Sequence, residues 1–183
     1  MRVWILGLIM ICLPAGLAAQ DARALDRPNT VLLMRHALAP GTGDPENFVL
    51  GDCSTQRNLS DAGRAQAQRI GQALRSAGII PTHVFTSEWC RARETAELLN
   101  LGEVSPLPAL NSHFAGRGDR AAQTRAVLAR LADLPEGARP ILVTHQVNIS
   151  ALTGTFARSG EIVMTVQNEN GQLVEAGRFL IDP

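Results

Sequence analysis

An α/β fold, with a mostly parallel central sheet flanked by helices on both faces, is predicted from three observations. Short apolar runs of strand length lie at 31–34, 84–86 and 141–144. Helical patterns fall between them, and strands alternating with helices are what a parallel sheet requires. Two of the runs end in histidine, at Arg35-His36 and at Thr144-His145. In an open α/β sheet ligands bind beyond the carboxyl ends of strands, so this alternation predicts that His36 and His145 share one sheet edge.

The chain begins with Met1-Arg2, an almost unbroken apolar segment over 3–13, and Pro14 followed by small residues to Ala19. This pattern predicts a secretory signal peptide over 1–19, cleaved near Ala18 or Ala19, and one domain over 20–183 in the periplasm or outside the cell. The competing reading is an uncleaved anchor, for which the apolar stretch falls short of the ~20 residues of a membrane span. Cys12 lacks the sequence context of a lipid-attachment cysteine.

Val31-Leu32-Leu33-Met34 suits a strand buried on both faces, although so short a run also fits a buried helix. Residues 37–58 then form a long irregular segment with Pro40, Gly41, Gly43, Pro45 and Gly51. A loop of that length beside His36 points to function. Ser60 and Asp61 supply a cap and a first-turn carboxylate, and Gly63, Ala67, Ile70, Leu74 and Ala77 share one helical face that Gly78 ends. After the strand at 84–86, Ser87-Glu88 reads as the cap and first turn of a second helix running to about Asn100. Arg91 then falls near a helix start, where backbone N–H groups already favour an anion. Residues 106–118 are loop-like, 119–134 give a third helix through Val127, Leu128 and Leu131, and 161–166 with 173–180 read as a closing hairpin.

Composition narrows the chemistry. The 17 basic residues are all arginine and balance 17 acidic ones, so a nucleic-acid partner is not suggested. Without lysine the chain has neither a nucleoside-triphosphate phosphate loop nor a Schiff base. Arginine still matches phosphate bidentately. Four histidines, His36, His83, His113 and His145, show no zinc spacing, and no metal or cofactor is implied. His83 reads as a strand-edge residue. Removing the signal leaves Cys53 and Cys90, which are either a disulfide suited to an oxidising compartment or two buried thiols.

Taken together, Leu33-Met34-Arg35-His36-Ala37, Arg57-Asn58-Leu59-Ser60-Asp61-Ala62-Gly63-Arg64, Thr86-Ser87-Glu88-Trp89-Cys90-Arg91-Ala92-Arg93-Glu94-Thr95-Ala96 and Val143-Thr144-His145 resemble the histidine phosphatase superfamily, the phosphoglycerate-mutase-like fold. The segment 39–59 is similar to a secreted bacterial branch that includes lipopolysaccharide core heptose phosphatases. The resemblance implies that His36 is a nucleophile forming a phosphohistidine, that Arg35, Arg91 and His145 surround the phosphoryl group, and that Arg57 lines the substrate site. Imidazole, with an unperturbed pKa of ~6.5, suits attack on phosphorus near neutrality.

Departures accompany the matches. Ala37 stands where a glycine is usual, and Gln146 follows His145 where the phytase-like branch has aspartate. The segment 110–114 has no carboxylate where many members carry a glutamate acid, which leaves His113, Glu88 and Asp119 as candidate proton donors, in that order. The expectation is a metal-independent periplasmic phosphatase of a small phosphomonoester, with a phosphorylated lipopolysaccharide core sugar as first substrate. The alternative is a non-catalytic module recognising a phosphorylated glycan or lipid.

Overall fold

The computed structural model describes residues 30–183, so the signal-peptide reading of 1–19 lies outside the described residues. The sheet has six strands, β1 (Thr30–Arg35), β2 (His83–Thr86), β3 (Val104–Pro106), β4 (Pro140–Thr144), β5 (Ile162–Gln167) and β6 (Leu173–Phe179). Their order is β3-β2-β4-β1-β5-β6; the first four are parallel, and β5 and β6 add an antiparallel hairpin to β1. Helices α1 (Asp61–Ser76), α2 (Cys90–Leu99), α3 (Arg120–Ala132) and α4 (Gln146–Thr153) complete the frame.

Side chains alternate across the strands and so build two cores. Leu32, Met34, Val84, Ile141 and Val143 pack on Ile70 and Leu74 of α1 and on Ala92, Ala96 and Leu99 of α2. Val31, Leu33, Phe85 and Leu142 face Val127 and Leu131 of α3 and Ile149 of α4 on the other side. The continuous apolar runs of β1 and β4 are thus explained by burial on both faces.

Helix α1 starts where its sequence predicts, with the Ser60 hydroxyl accepting from Gly63 N–H and Asp61 in the first turn. Two glycines let it approach its neighbours. A Cβ on Gly63 would lie 2.1 Å from the Leu38 carbonyl oxygen, and one on Gly71 would lie 2.0 Å from that of Leu99. Gln66 Oε1, on the same face, accepts from Leu38 N–H at 2.9 Å. Helix α1 therefore fixes the backbone just after His36.

Three elements differ from the sequence reading. Helix α2 begins at Cys90, because the Ser87 hydroxyl is engaged by Asn111, His145 and Trp89 N–H and no side chain caps the helix. Strand β3 is only three residues long and contains Pro106, which leaves no periodicity to detect. Helix α4, rich in β-branched residues, has no strong sequence signature.

Cys53 and Cys90 form a disulfide that fastens the long loop to the start of α2. Closing a loop of 36 intervening residues stabilises by about 3 to 4 kcal/mol on the chain-entropy estimate. Changing both cysteines to serine is expected to lower unfolding free energy by about that amount. Urea titration with and without reductant tests this: reductant should weaken the native protein and leave the variant unchanged.

Candidate active site

Parallel pairing of β1 with β4 sets Arg35 opposite Thr144, which brings His36 and His145 to one edge as the alternation predicts. Their ring centroids are 5.5 Å apart. His36 N–H is held by the Thr144 carbonyl at 3.0 Å, and Ala37 N–H by Thr95 Oγ1 of α2 at 3.0 Å. These bonds anchor the end of β1 to β4 beside it and to α2 above the sheet.

The His36 ring has a defined polarity. Its Nδ1 lies 2.8 Å from the Ala37 carbonyl, which can only accept, so Nδ1 carries the proton. Its Nε2 receives Arg91 Nε–H at 3.2 Å and presents a lone pair. Burial pushes the His36 pKa well below 6.5, and the charges of Arg91, Arg35 and Arg57 add to this although the Ala37 bond opposes it. The imidazole is accordingly neutral at neutral pH, with its lone pair on Nε2.

Arg91, in the first turn of α2, is the centre of the site. Its side chain is 3% exposed and pairs with Asp44, itself 4% exposed, through Nη1–Oδ1 at 2.6 Å and Nη2–Oδ2 at 3.2 Å. It also donates to the Arg57 carbonyl at 3.3 Å and approaches His145 Nδ1 at 3.5 Å. Trp89 Nε1 and Arg57 N–H complete the Asp44 carboxylate at 3.0 and 3.1 Å. Burial pushes the Asp44 carboxyl up, but its bonds to Arg91, Trp89 and Arg57 outweigh that and hold it below the usual range.

Arg35 donates to the Ala157 carbonyl at 3.0 Å and lies 6.0 Å from the Phe156 ring, while its buried Nε has no partner. Arg57 is anchored by the carbonyls of Gly43, at 2.7 Å, and Ala39. Burial, reinforced by Arg91, lowers its pKa to about 10, so it stays charged. His145 is fully buried, with its pKa driven well below 6.5 by burial and then by His36 and Arg91. These groups line a cavity of about 350 Å³ whose outer walls include Phe114, Val147 and Phe156.

The expected proton donors lie elsewhere. Ser112, Phe114 and Ala115 line the cavity, but His113 does not. Asp119 is the exposed cap of α3, accepting from Ala122 N–H at 3.0 Å. Glu88 accepts from Asn111 Nδ2 at 2.7 Å in a separate groove. The sole carboxylate lining the cavity among the described residues is Asp44. Nor do the N–H groups before α2 offer an anion site: those of Glu88, Trp89 and Cys90 go to Asn111, Ser87 and Gln56.

Asp44 and Ser87 carry no mark of function in the sequence reading. Ser87 stands at a strand end, as His36 and His145 do, and the same rule would have singled it out. Asp44 is 47 residues from Arg91, and nothing in the sequence announces the pair.

Residues 31–119 match the model of the histidine phosphatase superfamily (branch 1), a span that holds Arg35, His36, Arg57 and Arg91. Over that span, just under half of its length, the chain is similar to the histidine phosphatase superfamily. The solved structure of the protein histidine phosphatase SixA complexed with tungstate shares the fold at a TM-score of 0.62 and 18% identity, over 82% of this chain and 96% of that one. A phosphoserine phosphatase from Entamoeba histolytica, in complex with 3-phosphoglyceric acid, aligns at a TM-score of 0.60 and 14% identity over 83% of this chain and 97% of that one. By sequence, the mitochondrial serine/threonine-protein phosphatase Pgam5 of Drosophila virilis is 36% identical over 69 residues, 38% of this chain. The match spans only 21% of the length of that relative.

The buried charges of the site have two measurable consequences. Asp44→Ala strands the Arg91 cation and is expected to cost about 3 kcal/mol, measured by urea unfolding. Both histidines have folded pKa values below the unfolded value of ~6.5. The unfolded chain therefore takes up protons that the folded state excludes, and stability falls as pH drops below about 6.5. Unfolding between pH 7 and 5 should show this loss, and the double variant His36→Gln with His145→Gln should show less of it.

Proposed function

We propose that the chain is a phosphatase that hydrolyses a small phosphomonoester through a phosphohistidine on His36. The observation that carries this reading is the polarity of His36: Nδ1 is tied down by Ala37, and Nε2 offers its lone pair among three arginines. In the proposed reaction Nε2 attacks phosphorus and the bond to the leaving oxygen breaks. Water then attacks the phosphohistidine, releasing phosphate and returning the electron pair to Nε2. Arg91 Nε–H moves from Nε2 to a phosphoryl oxygen, and Arg35 Nε–H, Arg57 and His145 serve the remaining negative charge.

The proposed setting is the periplasm, by way of the signal sequence at 1–19, and the first substrate is a phosphorylated sugar of the cell envelope, as in the lipopolysaccharide core. A second substrate reading is favoured by the cavity itself. Its one carboxylate, Asp44, is held ionised by Arg91, so a leaving group that needs no acid within the site is better suited. Aryl phosphates meet that requirement, and so does phosphohistidine, whose departing ring can take its proton from solvent at the far nitrogen.

Hydrolysis of an aryl phosphate in the presence of chelator is expected for the wild type and lost by at least about 1,000-fold in His36→Ala, with acid-labile alkali-stable phosphoenzyme trapped only in the wild type. Equal background in both proteins, with phosphate still bound, would support the non-catalytic recognition module instead. Ranking kcat/KM for aryl phosphate, hexose phosphate and a phosphohistidine peptide separates the two substrate readings.

A further inference from the structure

His145 has a definite polarity too, imposed from outside the cavity. The Asn111 amide has two partners that can each play only one part. Glu88 N–H, which can only donate, meets Oδ1 at 2.8 Å, and the Glu88 carboxylate, an acceptor, meets Nδ2 at 2.7 Å. The orientation of the amide is therefore fixed. Ser87 Oγ donates its one proton to the same Oδ1 at 3.2 Å, and Arg91 Nη2, which can only donate, faces Nδ1 of His145. The Ser87 oxygen is left as an acceptor, for Trp89 N–H at 3.2 Å and for His145 Nε2 at 2.8 Å. His145 accordingly carries its proton on Nε2, and its Nδ1 lone pair faces Arg91 Nη2 at 3.5 Å.

We propose that Glu88, Asn111 and Ser87 form a positioning chain that locks His145 with its proton on Nε2, making Nδ1 the nitrogen that takes a proton from the phosphoryl group. The lock places the two histidines in opposite tautomers. His36 has Nδ1 protonated and Nε2 free to attack, whereas His145 has Nε2 protonated and Nδ1 free to receive.

The consequence for chemistry rests on the phosphatase reading. When a phosphomonoester monoanion enters, its O–H proton moves to His145 Nδ1, so one O–H bond breaks and one N–H bond forms. The result is a phosphoryl dianion against an imidazolium, with Nδ1–H donating to the oxygen it came from and Nε2–H still on Ser87. No other reactant is needed, and the proton leaves with phosphate at the end of the cycle. The surroundings of His145 suit this exchange: burial, then the His36 ring at 5.5 Å and the Arg91 guanidinium, hold the free imidazole neutral until an anion arrives. Glu88 itself lies in the separate groove with Thr86, Arg93 and Glu97, so it acts only through Asn111 and Ser87.

The test is nitrogen NMR of protein labelled with ¹⁵N-histidine, with His145 signals assigned by their loss in His145→Gln. The wild type at neutral pH is expected to show Nε2 protonated and Nδ1 bare, and inorganic phosphate should protonate Nδ1. Ser87→Ala is expected to mix the tautomers and to lower kcat on aryl phosphate roughly tenfold with KM changed less than about twofold. Glu88→Ala should weaken the preference, and Glu88→Gln, which keeps an acceptor for Asn111 Nδ2, should restore it. Glu88 belongs to none of the apolar clusters, so its variants keep the test informative if Ser87→Ala does not fold. A wild-type His145 protonated on Nδ1, or a Ser87→Ala spectrum and kcat unchanged from wild type, overturns the proposal. Failure of the phosphatase reading appears separately, as absent turnover beside an intact tautomer signature.

Discussion

A buried guanidinium has to be satisfied, and that requirement on Arg91 organises the site. Taking a cation out of water costs several kcal/mol unless a counter-charge and hydrogen bonds meet it. Asp44 supplies both, and its position in the long loop ties that loop to α2. Once the two Nη atoms are committed to Asp44, Nε is aimed at His36 and Nη2 also reaches His145. One side chain thereby sets the relation of a loop, a helix and two strand ends.

The loop from 37 to 58 would otherwise be a poor foundation for a site. Long segments without secondary structure cost entropy to hold and tend to move. Here it is pinned by the Asp44 carboxylate, by the Cys53–Cys90 disulfide, and by Gln56 and Asn58, whose side chains bond Cys90 N–H and the Cys53 carbonyl. Phe48 stacks on Trp89 at 4.9 Å and carries the Arg117 guanidinium 4.6 Å from its own ring. Arg57 is delivered to the cavity by the same segment, so the fixings that hold the loop also place a charge.

The site's polarity is as constrained as its geometry. Acceptors that cannot donate, and donors that cannot accept, specify where each histidine proton sits: the Ala37 carbonyl does so for His36, and the Glu88–Asn111–Ser87 series does so for His145. Burial and the surrounding arginines keep both rings neutral. A neutral imidazole with a fixed lone pair is what nucleophilic attack needs, and a neighbouring one with an unprotonated nitrogen is suited to receive a proton.

By itself, the sequence determined the α/β class, the helix start at Ser60, the closing hairpin and the convergence of His36 and His145, because periodicity, capping and strand ends are local signals. It also held the family resemblance through Arg35, His36, Arg57, Arg91 and His145. Tertiary structure decided what depends on contacts across the chain. Of the two readings open for Cys53 and Cys90, it selected the disulfide. It withdrew His113, Glu88 and Asp119 from the cavity, Glu88 being held by the bond to Asn111 and Asp119 by its helix cap. It added Asp44 and Ser87, whose partners lie 47 and 58 residues away. Periodicity reports which face of an element is buried; which polar atoms meet once the faces close is fixed only by the packed chain.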